Sequence, residues 1–190
     1  MEKRAYAVPA LHFLVGSALV FGSYGLKDLI DGLIHPKVLI DFFGAISIVY
    51  LPHGVLVLLA WFYGWLAVPI VLPATVLSVW LLRGADGLGA MMFLLVTIKT
   101  VAAPLTFDLF RLAGIDARGP GEALNWKVLF LIGLVQSVIS NQARFWLGCC
   151  GELTSDELMV AFSGSVLGDM IGLLAVMLGA MFFFRALRQG

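Results

Sequence analysis

The sequence predicts an all-α, polytopic membrane protein: a bundle of six transmembrane helices with both termini in the cytoplasm. Three observations predict it. Hydrophobic residues make up 61% of the 190 and charged residues only 13%, where a soluble domain is about one quarter charged. Six stretches approach the ~20 apolar residues with which a helix crosses a hydrocarbon core of about 30 Å. Lysine and arginine are distributed unevenly between alternate connections.

The first apolar run, 8–26, follows the basic start Met1-Glu2-Lys3-Arg4. Gly22, Ser23 and Gly25 form no clear small-x-small cleavage site, so the run is read as a retained span rather than a signal peptide. Residues 27–37, with Asp28, Asp31, His35 and Pro36, read as an interfacial connection. Helix 2 is expected over 38–62 and helix 3 over 65–82, joined through Tyr63-Gly64-Trp65 as a tight hairpin. The 41 residues from Phe42 to Leu82 carry no Asp, Glu, Lys or Arg and are too many for one crossing. Pro52 and Gly54 predict a kink beside His53. Helices 4, 5 and 6 follow over 88–110, 126–149 and 157–184. Ser155 is the expected N-cap of the last, with Asp156 and Glu157 in the first turn. The chain 1–190 then forms a single transmembrane domain, since the longest polar stretch, 111–127, is too short to fold alone.

Basic residues set the orientation. With the N-terminus inside, the inner segments hold seven (Lys3, Arg4, Arg111, Arg118, Lys127, Arg185, Arg188) and the outer connections three (Lys27, Lys37, Arg83). The connection before helix 6 carries Glu152, Asp156 and Glu157 and no basic residue, which suits the outer side. Trp61, Trp65, Trp80 and Trp126 near helix ends form an expected aromatic belt. Gly168 and Gly172, four apart in Gly-Asp-Met-Ile-Gly, are expected to let helices approach closely.

A polar side chain at depth costs free energy unless it is paired or wetted, so the informative residues are the few that lie there. Counted along the helices, Lys99 and Asp169 fall near the midplane with opposite charge, and His53, Asn141, Gln142 and Arg144 lie toward the outer side. One reading is an outward-facing polar pocket for a small ligand, built from Lys99, Asp169, Asn141, Arg144 and His53, with Lys99 and Arg144 offered to an acidic group. The other is a buried ion pair between Lys99 and Asp169 that fixes which helices are neighbours. Asp108 is expected to pair with Arg111 at i, i+3. Cys149 and Cys150 are adjacent and read as small apolar residues rather than a disulfide.

The sequence holds no paired metal-type histidines, no phosphate loop and no Gly-x-Ser-x-Gly. No enzyme activity, metal or cofactor is therefore expected. A net charge of zero gives no reason to expect a nucleic-acid partner.

The segment Tyr50-Leu51-Pro52-His53-Gly54-Val55 through Trp61-Phe62-Tyr63-Gly64-Trp65, with Pro69 and Pro73 beyond, resembles the Pro-x-Gly helix and Gly-Trp turn of bacterial membrane-associated sensor (MASE-type) domains. Gly168-Asp169-Met170-Ile171-Gly172-Leu173-Leu174 is similar to the Gly-Asp-x-x-Gly helix that closes such domains. The resemblance covers about 42–184. It implies a sensory module of the bacterial inner (plasma) membrane, usually fused to a cytoplasmic kinase or cyclic-dinucleotide enzyme. This chain is shorter than the usual eight-helix module and ends at Gly190 without an output domain, so a partner protein is expected to carry the output. Two alternatives share the same bundle: the substrate-capture subunit of a vitamin-type transporter, and a structural subunit of a larger membrane complex.

Overall fold

The computed structural model describes residues 2–33, 47–84, 89–118, 125–147 and 154–189, with side chains from residue 11 onward except at 83, 187 and 189. All regular structure among them is helical. The α-helices are α1 (Glu2–Leu33), α2 (Leu51–Tyr63), α3 (Ala67–Arg83), α4 (Ala90–Leu112), α5 (Trp126–Trp146) and α6 (Ser155–Gln189), and a 3-10 turn over Gly64–Leu66 links α2 to α3. Five helical segments are long and apolar enough to cross a membrane: Leu11–Leu33, Leu51–Leu82, Ala90–Leu112, Trp126–Trp146 and Ser155–Ala186. Large apolar side chains such as Leu14, Leu29, Leu167 and Phe182 stand exposed on the outside of the bundle. A water-soluble surface carries no such continuous apolar cover. The chain is a multi-pass membrane protein.

α2 is the hub of the bundle and touches every other α-helix. Its sequence explains this. Leu51-Pro-His-Gly-Val-Leu-Val-Leu-Leu-Ala has no polar stripe, and a helix apolar all round is buried all round. Nine of its residues are buried, and Val57 and Ala60 are sealed completely. At its end Gly64 has φ +56, a backbone conformation open to glycine and costly for a residue with a Cβ. The Gly64 N–H still closes onto the Ala60 carbonyl, and the chain then reverses into α3. Both arms of this hairpin lie against α1, where Gly16 faces Leu59 of α2 and Ile70 of α3.

Helix 2 differs most from expectation. Of the stretch expected to be helical, 38–62, the helix begins only at Leu51; residues 47–50 are bent or extended, and 34–46 lie outside the described residues. Proline supplies the reason. It has no N–H to give to a preceding turn, a loss that costs nothing in the first turn of a helix. Pro52 therefore sits in the first turn of α2 rather than kinking a longer helix. The break exposes backbone polar groups at depth, and α6 satisfies one of them: the Tyr50 N–H donates to the Gly168 carbonyl at 3.0 Å. A Cβ on Gly168 would overlap the Ser47 carbonyl, and one on Gly172 the Tyr50 carbonyl. The two glycines thus accommodate a non-helical strand of backbone, while Gly172 also meets Gly54 across the α2–α6 contact.

Other boundaries move less. α1 continues to Leu33, so Lys27, Asp28 and Asp31 lie on a helix rather than in a connection. Lys27 bridges Asp28 at 3.0 Å and Asp31 at 2.8 Å. α6 is capped by Thr154, not Ser155: Glu157 accepts from the Thr154 N–H at 2.8 Å and hydroxyl at 2.7 Å, the reciprocal box of a Thr-x-x-Glu start. Asp108 does not pair with Arg111. It takes an ion pair from Arg118 and the Trp65 indole N–H at 2.6 Å, whereas Arg111 lies 3.7 Å from Asp116. The reason is the fold-back of 113–118, where Gly114 at φ +85 turns the chain and Trp61 pins it by donating to the Ala117 carbonyl at 2.7 Å. Cys149 and Cys150 lie outside the described residues.

Candidate ligand cavity

The break before α2, the middle of α4, the second half of α5 and the middle of α6 converge on one carboxylate. Asp169 is 2% exposed. Its Oδ1 accepts from Lys99 Nζ at 3.2 Å. Its Oδ2 accepts from the Ser137 hydroxyl at 2.6 Å and from Asn141 Nδ2 at 3.0 Å. Ser137 and Asn141 are one helical turn apart and so share a face of α5; Asn141 Nδ2 also donates back to the Ser137 carbonyl at 3.0 Å. With three donors on two oxygens, the group has the surroundings of an ionised carboxylate. Gln136, the residue before Ser137, donates to the Lys99 carbonyl at 3.2 Å and ties α5 to α4 at this level.

His53 lies on the protein side of Asp169. Its Nδ1 is 3.7 Å from Oδ2, the ring is fully buried, and neither ring nitrogen has a hydrogen-bond partner among the described residues. Lys99 faces the other way. Its side chain is 26% exposed, and its ammonium stands 4.0 Å from the centroid of the Tyr50 ring, a cation–π distance. The Tyr50 hydroxyl meets that of Tyr24 at 3.1 Å, with the two rings edge to face.

The open side of this cluster is a cavity of about 580 Å³ lined by residues of the six described α-helices, within the range of small-molecule sites. Asp169, Lys99 and Tyr50 line it together with apolar side chains of α1, α3 and α4 and with Lys27, Asp28 and Arg144. Three cations and two carboxylates line it. Lys99 is matched by Asp169, and Lys27 by Asp28 and Asp31. Arg144 has no carboxylate within ion-pair distance among the described residues. Among the described residues the cavity therefore carries one guanidinium without a carboxylate partner, a planar donor that suits a carboxylate or phosphate. No group of three or more His, Cys, Asp or Glu side chains among the described residues is placed to hold a metal ion.

Of the residues expected at the site, Lys99, Asp169, Asn141 and Arg144 border the cavity together. His53 supports Asp169 from behind without reaching the wall, and Gln142 is exposed away from it. Sequence reasoning missed Tyr24, Tyr50, Ser137 and the Lys27–Asp28 pair. Ser137 was recoverable, since it precedes Asn141 by four on one helix face. Tyr24 and Tyr50 carried no such signal, because their meeting depends on the break over 47–50. Comparison with family models, curated proteins and solved structures gives no match.

Proposed function

We propose that this chain is a sensor-like module of a bacterial inner membrane that binds a small anionic ligand in the Lys99–Arg144 cavity and acts through a partner protein. Both arms of the 51–82 hairpin count as crossings in this reading. That gives six, with both termini cytoplasmic, in keeping with seven basic residues on the inner segments against three outside. The cavity then faces outward. The observation that carries the reading is Arg144, a guanidinium with no carboxylate partner among the described residues, lining a cavity whose other charges are paired. The sensor resemblance at 50–65 and 168–174 supports the assignment of class.

The test uses the purified full-length chain in detergent. Native mass spectrometry would detect a retained small anion, and thermal shift would be measured with acetate, succinate and inorganic phosphate as probes. The expected result is a retained mass or a stabilising shift in the wild type that Arg144→Ala loses and Arg144→Lys partly restores. The same result with and without Arg144, or none with any probe, would overturn the ligand reading. It would favour the structural one, which has its own supporting observation: both Asp169 oxygens are already taken by protein donors. Co-purification from membranes without a stable protein partner would count against the sensor assignment.

A further inference from the structure

A second concavity lies away from the polar site, between the ends of α2, α5 and α6 near the α2–α3 turn. It has a volume of about 710 Å³. Its body is apolar: Leu58 and Phe62 of α2 face Leu174, Met177, Met181 and Phe184 of α6 across it. Leu174 and Phe184 are half-exposed, so the groove opens to the outside of the bundle. Its rim is of a different character. Arg185 and Arg188, one turn apart on α6, line one end, and Trp126 at the start of α5 lines the same groove. Lys127 adds a third cation, its ammonium 5.7 Å from the Trp126 ring centroid. None of these three cations has a carboxylate within ion-pair distance among the described residues.

We propose that this groove is a binding site for one anionic phospholipid, with an acyl chain along the apolar face of α6 and the phosphate held by Arg185 and Arg188. Three features agree on that occupant. From Leu174 to Phe184 the apolar face rises roughly 15 Å, about the depth of one leaflet's half of the hydrocarbon core. It ends at Arg185 and Arg188, as an acyl chain ends at its headgroup. Arginines without a carboxylate partner among the described residues fit a phosphate in both charge and geometry. Trp126 stands at the depth where indole rings prefer the membrane interface. A partner helix would fill the apolar part equally well, but it gives no reason for cations gathered at one end. With the orientation proposed above, this end faces the cytoplasmic leaflet.

The experiment is native mass spectrometry of the full-length chain in detergent, titrated with dioleoyl-phosphatidylglycerol or with dioleoyl-phosphatidylcholine. The wild type is expected to keep a single phosphatidylglycerol adduct under activation that strips phosphatidylcholine. Each arginine facing an anionic headgroup contributes about fivefold in affinity. Arg185→Gln with Arg188→Gln should therefore weaken phosphatidylglycerol retention by more than about tenfold. Arg185→Lys with Arg188→Lys, which keeps the charge, should retain most of it and guards against a folding defect in the glutamine variant. Equal retention of the two lipids by the wild type, or an unchanged preference in the glutamine variant, would overturn the proposal. So would a stable dimer that excludes the lipid adduct, since that would assign the groove to a second copy of the chain.

Discussion

Removing Lys99 and Asp169 separately and together measures what the polar centre contributes to the fold. Asp169 is sealed, while a quarter of the Lys99 side chain reaches the cavity. Lys99→Met leaves a buried carboxylate without its cation. Breaking a buried ion pair costs about 3–5 kcal/mol. The low end, ~3 kcal/mol, applies because Ser137 and Asn141 still donate to it. Asp169→Asn keeps the shape, loses the Lys99 bond, worth about 1.5–3 kcal/mol, and leaves its remaining oxygen to accept from Ser137 and Asn141 without charge. The freed ammonium can turn into the cavity, so about 2 kcal/mol is expected. In the double variant no charge is left buried, and the cost should stay at about 2 kcal/mol instead of the sum of about 5. The assay is reversible unfolding of the purified chain in mixed micelles with increasing SDS, followed by circular dichroism. Additivity to within about 0.5 kcal/mol would refute the coupling. A larger cost for Asp169→Asn than for Lys99→Met would refute the argument from unequal burial.

Gly168→Ala should destabilise by about 1–3 kcal/mol in the same assay, because the atom it strikes is the Ser47 carbonyl and backbone yields less than a side-chain tip. Gly179→Ala, in open space on the same helix, is the matched control and should change little. Thr154→Ala removes the cap of α6 and should cost about 1 kcal/mol, with faster amide exchange confined to the first turn after Ser155. Asp108→Asn should release Arg118 and weaken the hold on the Trp65 indole, read as a change in tryptophan emission that Arg111→Gln does not reproduce.

Much of the bundle was legible because lipid imposes a simple rule: long apolar runs become helices, and the few charges within them must find partners. Lys99 and Asp169 were placed at one depth by counting residues, and they meet at 3.2 Å. Asn141 was identified by the same reasoning and lies on the same carboxylate. The failures concern places where hydropathy says nothing. Helix 2 reads as apolar from Val38 to Phe62, yet residues 47–50 are bent or extended and α2 starts at Leu51, with Pro52 in its first turn where the missing N–H costs nothing. Asp108 chose Arg118 over the nearer Arg111 because a left-handed glycine at 114 folds the following segment back, a long-range outcome that spacing along one helix does not encode.

The break in helix 2 and the polar centre belong to one arrangement. Stopping a helix at depth leaves free N–H groups at its start, and those groups carry the positive end of the helix dipole. α2 starts beside Asp169: Tyr50 bonds to Gly168, and His53, in the first turn, lies 3.7 Å from the carboxylate. Asp169 is held by Ser137 and Asn141 before Lys99 is counted, with the start of α2 packed beside it. A carboxylate so supported does not need the whole of the lysine. This accounts for a Lys99 that touches only one oxygen at 3.2 Å, spreads part of its charge over the Tyr50 ring and remains a quarter exposed to the cavity. An ammonium shared between an internal partner and a cavity that Arg144 also lines is the arrangement that the proposed anion site calls for.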